Sequence, residues 1–200
     1  MLVVALVAGS CSEATEGAPS GAGAIPSPSS ESSESVPKVD DPLDVEPFLD
    51  RPCELVDPAA LSKVGNFKPG SADVDSKAAK KLTGPSCSWH AKGSGPDAGL
   101  AIGTVHRDNG TGGIKGVYAG KEQGFIERLE PVEIPGHPGY PAAYAGGEDE
   151  FSRGRCPLAV GITNDLSIMV SITDRAHPER ACSAVLKVAA SALEALKKGS

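Results

Sequence analysis

Two consecutive alternating runs near the C-terminus constrain this chain more than any other feature. Cys156, Leu158, Val160 and Ile162 alternate with Pro157, Ala159, Gly161 and Thr163. Leu166, Ile168, Val170 and Ile172 then alternate with Ser167, Met169, Ser171 and Thr173. A period of two puts successive side chains on opposite faces of a strand, so each run predicts a strand with one apolar face. Asn164-Asp165 lies between them, and both residue types tolerate turn conformations. The pair therefore reads as an antiparallel hairpin with one buried face.

The period changes immediately afterwards. Pro178 opens a segment in which Ala181, Cys182, Val185, Leu186, Ala189, Leu193 and Leu196 recur at helical spacing up to about Lys197. Lys197 and Lys198 suit the negative end of its dipole. A second helix is expected from Asp57-Pro58, an N-cap residue followed by proline at the first helical position. Ala59, Leu61 and Val64 form its stripe and Gly65 its end. Ser86–Ala91 and Leu100–His106 read as strands, as do the shorter Val132–Ile134 and Tyr140–Ala145, and Ile114–Lys121 as a glycine-weakened helix. The fold class is α+β: an antiparallel sheet covered on one face by two helices.

Four cysteines lie within this domain, at 53, 87, 156 and 182, and none forms a C-x-x-C. Zinc sites favour short paired spacings, which are absent here. An even count in an exported domain reads as two disulfides. Three connectivities are possible. The sequential one, Cys53–Cys87 and Cys156–Cys182, is favoured, because Cys156 opens the hairpin and Cys182 lies in the first turns of the helix expected to pack on it. Closing either loop is worth about 3–4 kcal/mol on the chain-entropy model.

A fifth cysteine, Cys11, has a different setting. The apolar run Leu2–Val7 leads into Ala8-Gly9-Ser10-Cys11. Small residues before a cysteine fit a lipoprotein signal peptidase cleft and leave the thiol free for lipid attachment. The stretch resembles a bacterial lipobox. It is too short to span a bilayer and suits a signal h-region. No Lys or Arg precedes it, so the n-region is expected upstream of Met1. On this reading residues 1–10 are signal peptide, Cys11 carries a diacylglyceryl and palmitate anchor, and the protein sits on the extracytoplasmic face of the cell membrane.

Charge divides the chain in the same way. Residues 12–50 hold nine acids and a single base, Lys38, whereas the remainder is nearly neutral. Ser, Gly, Ala, Pro and acids dominate residues 12–46, which bury too little apolar surface to offset ordering entropy. Residues 11–47 are thus expected to form a disordered tether, with the single domain at 48–200. The Ser-rich tract could carry sugars; a solubilising spacer is the simpler reading. The formal net charge of −7 argues against a nucleic-acid partner.

The order of Pro52-Cys53-Glu54-Leu55-Val56, Asp57-Pro58, Cys87-Ser88-Trp89, the hairpin-opening Cys156 and Ala181-Cys182-Ser183-Ala184 resembles the actinobacterial lipoprotein family catalogued as domain of unknown function 3558. The resemblance implies a lipobox, a polar tether and one α+β domain over about residues 48–197. It brings no established activity.

Chemistry is sparse in the sequence. His90, His106, His137 and His177 lack metal-ligand spacing, although His90 and His106 could share the solvent face of neighbouring strands; plain surface is the expected reading. Gly110-Thr111-Gly112-Gly113 lacks the lysine of a phosphate loop, and Glu148-Asp149-Glu150 reads as a solvated loop. Trp89 is expected in the core beside a disulfide. No catalytic residue, metal or cofactor is assigned. The expected function is a monomeric, non-catalytic envelope protein that binds a ligand or protein partner; the alternative is an envelope enzyme with an unrecognised site. The absence of a catalytic set and the presence of a tether favour the first, a pocket holding a perturbed histidine or carboxylate would favour the second, and whether a concave apolar pocket opens between sheet and helices decides most between them.

Overall fold

The computed structural model describes residues 36–199. Seven strands form one antiparallel sheet: β1 (Ser71–Asp73), β2 (Ser86–Trp89), β3 (Asp97–Ile102), β4 (Arg128–Val132), β5 (Ala142–Gly146), β6 (Arg155–Gly161) and β7 (Ser167–Thr173). Their spatial order is β1-β2-β3-β7-β6-β5-β4. The helices are α1 (Pro58–Ser62), α2 (Thr104–Asp108), α3 (Gly113–Glu122), α4 (Glu148–Ser152) and α5 (Pro178–Gly199). Short 3-10 turns occupy Glu46–Phe48 and Pro52–Leu55.

The hairpin forms the centre of the sheet. Pairing β6 with β7 sets Leu158 opposite Val170 and Cys156 opposite Ile172. The register carries on outward: Val170 faces Leu100, Leu100 faces Cys87, and Leu158 faces Tyr144. One row of side chains, Cys87-Leu100-Val170-Leu158-Tyr144, therefore crosses five strands on a single face. Helix α5 covers that face with Val185, Val188, Ala189, Ala192, Leu193 and Leu196, all buried. The helix interleaves Ala189 and Ala192 with its valines and leucines on this face, and α1 packs beside it through Leu61. The sheet with two helices on one face follows the sequence pattern.

The opposite face is not wholly open. The hairpin is expected to bury one face, yet Pro157, Ala159 and Gly161 of β6 are buried along with Ala143 and Ala145 of β5. Helices α3 and α4 pack against β6. Alanine and glycine leave room for them there, which explains why a row without large aliphatics ends up buried. Over β2 and β3 the same face stays polar and open, with Ser88 exposed.

Both disulfides have the sequential connectivity. Cys53–Cys87 joins the Pro52–Leu55 turn to β2 across a Cα separation of 5.0 Å. Cys156–Cys182 joins the start of β6 to the second turn of α5 across 5.1 Å. Tyr144 Oη donates to the Cys182 carbonyl at 3.2 Å, so the same helical turn is held from two neighbouring strands.

Several expectations change. The strand expected over Leu100–His106 stops at Ile102. The Gly103 N–H donates to the Ser167 carbonyl, and the chain then turns into α2, which removes His106 from any strand it could share with His90. Glu148-Asp149-Glu150 is the first turn of α4 rather than a loop: three acids suit the positive helix end, and Glu150 Oε2 accepts the Gly147 N–H at 3.1 Å. The tether boundary at residue 47 also moves. Val39, Leu43 and Val45 are buried, the Leu43 N–H donates to the Ile162 carbonyl at 3.1 Å, and the Val39 N–H donates to Asn164 Oδ1 at 3.2 Å. Residues 39–45 thus run as a strap over the β6–β7 turn. Averaged composition hides this, because three spaced aliphatics suffice to anchor an otherwise polar stretch, each burial contributing about 1.5–3 kcal/mol. Cys11 and residues 12–35 lie outside the described residues.

The strap gives a direct expectation. Leu43→Ala should lower unfolding stability by about 2–3 kcal/mol, as truncating a core leucine does. A urea titration of the full chain measures this, and a tether without packing would show no change.

Candidate functional site

A concavity opens where α1, the loop after it and the C-terminal half of α5 meet β2. It has a volume of about 800 Å³, within the range typical of small-molecule sites. Val56, Leu61, Phe67, Trp89 and Ala195 contribute apolar wall. Lys68, Lys92, Lys198, Glu54, Asp57 and Glu194 lie around it.

Each wall is fixed by local chemistry. Asp57 Oδ1 accepts the Ala59 N–H at 2.6 Å, and Pro58 occupies the first helical position, so α1 begins as the sequence predicts. The Asp57 N–H donates to the buried Ser191 hydroxyl at 3.0 Å, which pins the start of α1 to α5. The opposite wall is an extended piece of chain. Phe67 bridges to Ala91, the Lys68 N–H donates to the His90 carbonyl at 2.8 Å, and the Lys92 N–H donates to the Asn66 carbonyl at 2.8 Å. This small ladder extends the β2 edge and sets Lys68 and Lys92 in place.

Gly70 ends that wall where the chain crosses the Cys53–Cys87 disulfide. A Cβ on Gly70 would lie 2.6 Å from Trp89 Nε1 and 2.8 Å from Cys87 Sγ. Only glycine lets the chain pass so close to a disulfide and an indole. Trp89 is 4% exposed and stands beside the disulfide, as the sequence predicts, yet it also lines the cleft.

A second, polar basin of about 500 Å³ lies on the open sheet face. Its floor is the cross-strand row Ser88-Gly99-Ser171, and His90, Asp97, Arg153, Arg155 and Arg175 surround it. Most of these charges are already matched. Arg155 pairs with Glu150 at 2.9 Å, Arg153 with Asp149, and His90 Nδ1 lies 3.5 Å from Asp97. Among the described residues no group of three His, Cys, Asp or Glu side chains could hold a metal ion.

A third cluster stands at the end of α5. His137, 7% exposed, places Nδ1 at 3.3 Å from Lys197 Nζ, and that ammonium also sits 4.8 Å above the Tyr140 ring. Burial, reinforced by Lys197 and opposed by Glu194, holds the imidazole pKa below its ordinary value. Burial, with Asp41 adding to it, raises the Tyr140 phenol.

The sequence marks the N-cap, Trp89 and the disulfide, but not the cleft. Its walls come from residues near 55–70, 89–92 and 191–198, which only the tertiary fold assembles. The Gly65–Gly70 segment, bracketed by glycines and containing Pro69, is the part that could have been found, as a chain piece needing close approach.

The His137 shift fixes a pH dependence. A base whose folded pKa is depressed binds fewer protons folded than unfolded, so its contribution is complete above about pH 6.5 and is lost as pH falls below it. Thermal melts from pH 7.5 to 5.5 should show a falling Tm, and His137→Gln should flatten that slope. An identical slope in both proteins would show that His137 is not responsible.

One of the three comparisons with known proteins finds a match. No curated protein and no solved structure matches the chain. A family model described as protein of unknown function (DUF3558) matches residues 6–195, a span that includes Cys11, all four disulfide cysteines, the strap and every residue lining the cleft except Lys198. The chain belongs to that family of proteins of unknown function.

Proposed function

We propose that this protein is an exported, lipid-anchored component of the bacterial envelope whose domain holds an apolar ligand in the cleft between α1, β2 and α5, without catalysing its conversion. The observation that carries the binding role is the cleft itself: a mostly apolar concavity of about 800 Å³ beside a buried tryptophan, walled by elements tied together through a disulfide and an interhelical hydrogen bond.

Export is supported by the chemistry of the cysteines. Disulfides persist in oxidising compartments and are uncommon in a reducing cytosol. The Ala8-Gly9-Ser10-Cys11 stretch has lipobox character, and among the described residues no helix is long and apolar enough to cross a membrane, so a lipid on Cys11 is the attachment this reading uses. The binding role is preferred to an enzymatic one because His137, the histidine whose pKa is displaced, is not among the residues lining the cleft.

Two measurements test the two halves. Mass spectrometry of membrane-extracted protein should show a diacylglyceryl cysteine at Cys11, and Cys11→Ala should move the protein to the soluble fraction; a variant still held by membranes refutes the anchor. For the cleft, the neutral dye Nile red should brighten saturably with the protein. Ala195→Trp, which fills the cleft, should weaken that response about tenfold while circular dichroism stays unchanged. Undiminished dye binding would place the apolar site elsewhere.

A further inference from the structure

The charges around the cleft are not equally free. Glu54 is engaged by Arg51 at 3.4 Å, and one oxygen of Asp57 caps α1. Lys68, Lys92 and Lys198 are exposed, and among the described residues none of their ammonium groups has an ion-pair or hydrogen-bond partner. Glu194 is the remaining acid of the rim. Counting Arg51 with Glu54, the mouth carries one more cation than carboxylates, in a chain whose formal net charge is −7. Lys68 and Lys92 are held on facing strands by the short ladder around Phe67 and Ala91, and Lys198 comes from the last turn of α5, so the three cations reach the opening from separate elements.

An apolar interior beneath such a rim has a specific complement. A neutral hydrocarbon would leave the three ammonium groups with water alone as partner. A small inorganic anion would leave the half-buried Phe67 and Ala195 of the apolar wall wet. A molecule with one alkyl body and one anionic head satisfies both, since its chain removes apolar surface from water and its head accepts charge-assisted hydrogen bonds. Resting on the apolar-cleft reading above, we infer that the occupant is a monomeric amphiphile bearing a phosphate or carboxylate head, taken from solution with its head at Lys68, Lys92 and Lys198.

Trp89 is the single tryptophan of the chain, so it reports occupancy directly. The full chain carrying Cys11→Ala, which removes any anchor, is titrated below the micelle concentration with three dodecyl probes: dodecyl phosphate, dodecyl maltoside and dodecyltrimethylammonium. Binding is followed by Trp89 emission and independently by calorimetry. Dodecyl phosphate should bind about tenfold or more tightly than the maltoside, the worth of one charge-assisted contact. Added salt should erode that preference, because the lysines are exposed. Combined Lys68→Glu, Lys92→Glu and Lys198→Glu substitution should abolish the preference for phosphate over maltoside, and a preference that persists overturns the placing of the head at these lysines. Equal affinity for phosphate and maltoside overturns the anionic head while the apolar cleft stands. Failure of all three probes overturns both readings. Sedimentation with phosphatidylglycerol vesicles without binding of the monomeric probe overturns the soluble amphiphile in favour of a membrane surface.

Discussion

The contact between α5 and the β6–β7 hairpin is the interaction on which the other elements depend. The aliphatic row through Leu158 and Val170 is covered by the valines, leucines and alanines of α5. With the helix in place, α1 gains a neighbour, because the Asp57 N–H finds its acceptor on Ser191. The Pro52–Leu55 turn lies against the same helix and hands its cysteine to β2. The cleft then occupies the gap left where α1 and the Gly65–Gly70 wall do not close on α5. A change in the docking of α5 would thus alter the cleft before it altered the outer strands.

The two disulfides act on different parts of this arrangement. Cys156–Cys182 constrains the helix at its beginning, where the hairpin opens, and the rest of α5 is placed by packing and by the hydrogen bond between Asp57 and Ser191. Cys53–Cys87 constrains the floor of the cleft, with Gly70 crossing over it. One crosslink positions the helix and the other positions a wall, which suits a core with few aromatic side chains.

Legibility in the sequence tracks the length and regularity of each element. The β6–β7 hairpin and α5 are plain because their periods persist over many residues and agree with the packing. The start of α1 is plain because Asp57 and Pro58 are a cap with a stated mechanism. Strand β1 is not, since Ser71-Ala72-Asp73 is short, polar and defined only by its pairing with Ser86–Ser88. Helix α2 is concealed because Thr104-Val105 is a β-branched pair that reads as more strand, and nothing local announces that Gly103 ends the strand by bonding to Ser167. Membership in the family is legible from the cysteine order and the Cys87-Ser88-Trp89 triplet. The cleft is not, because its lysines carry no pattern until the ladder around Phe67 brings two of them together.

The strap over the β6–β7 turn has a mechanical consequence. Tension applied to the chain upstream of residue 36 meets two backbone hydrogen bonds, at Val39 and Leu43, and three buried aliphatics before it reaches a covalent crosslink at Cys53. Such contacts yield one after another, and each released residue adds roughly 3.5 Å of reach. The strap works as an extensible leash with a built-in stop: a modest pull lengthens the connection, and a stronger one is arrested at the first disulfide.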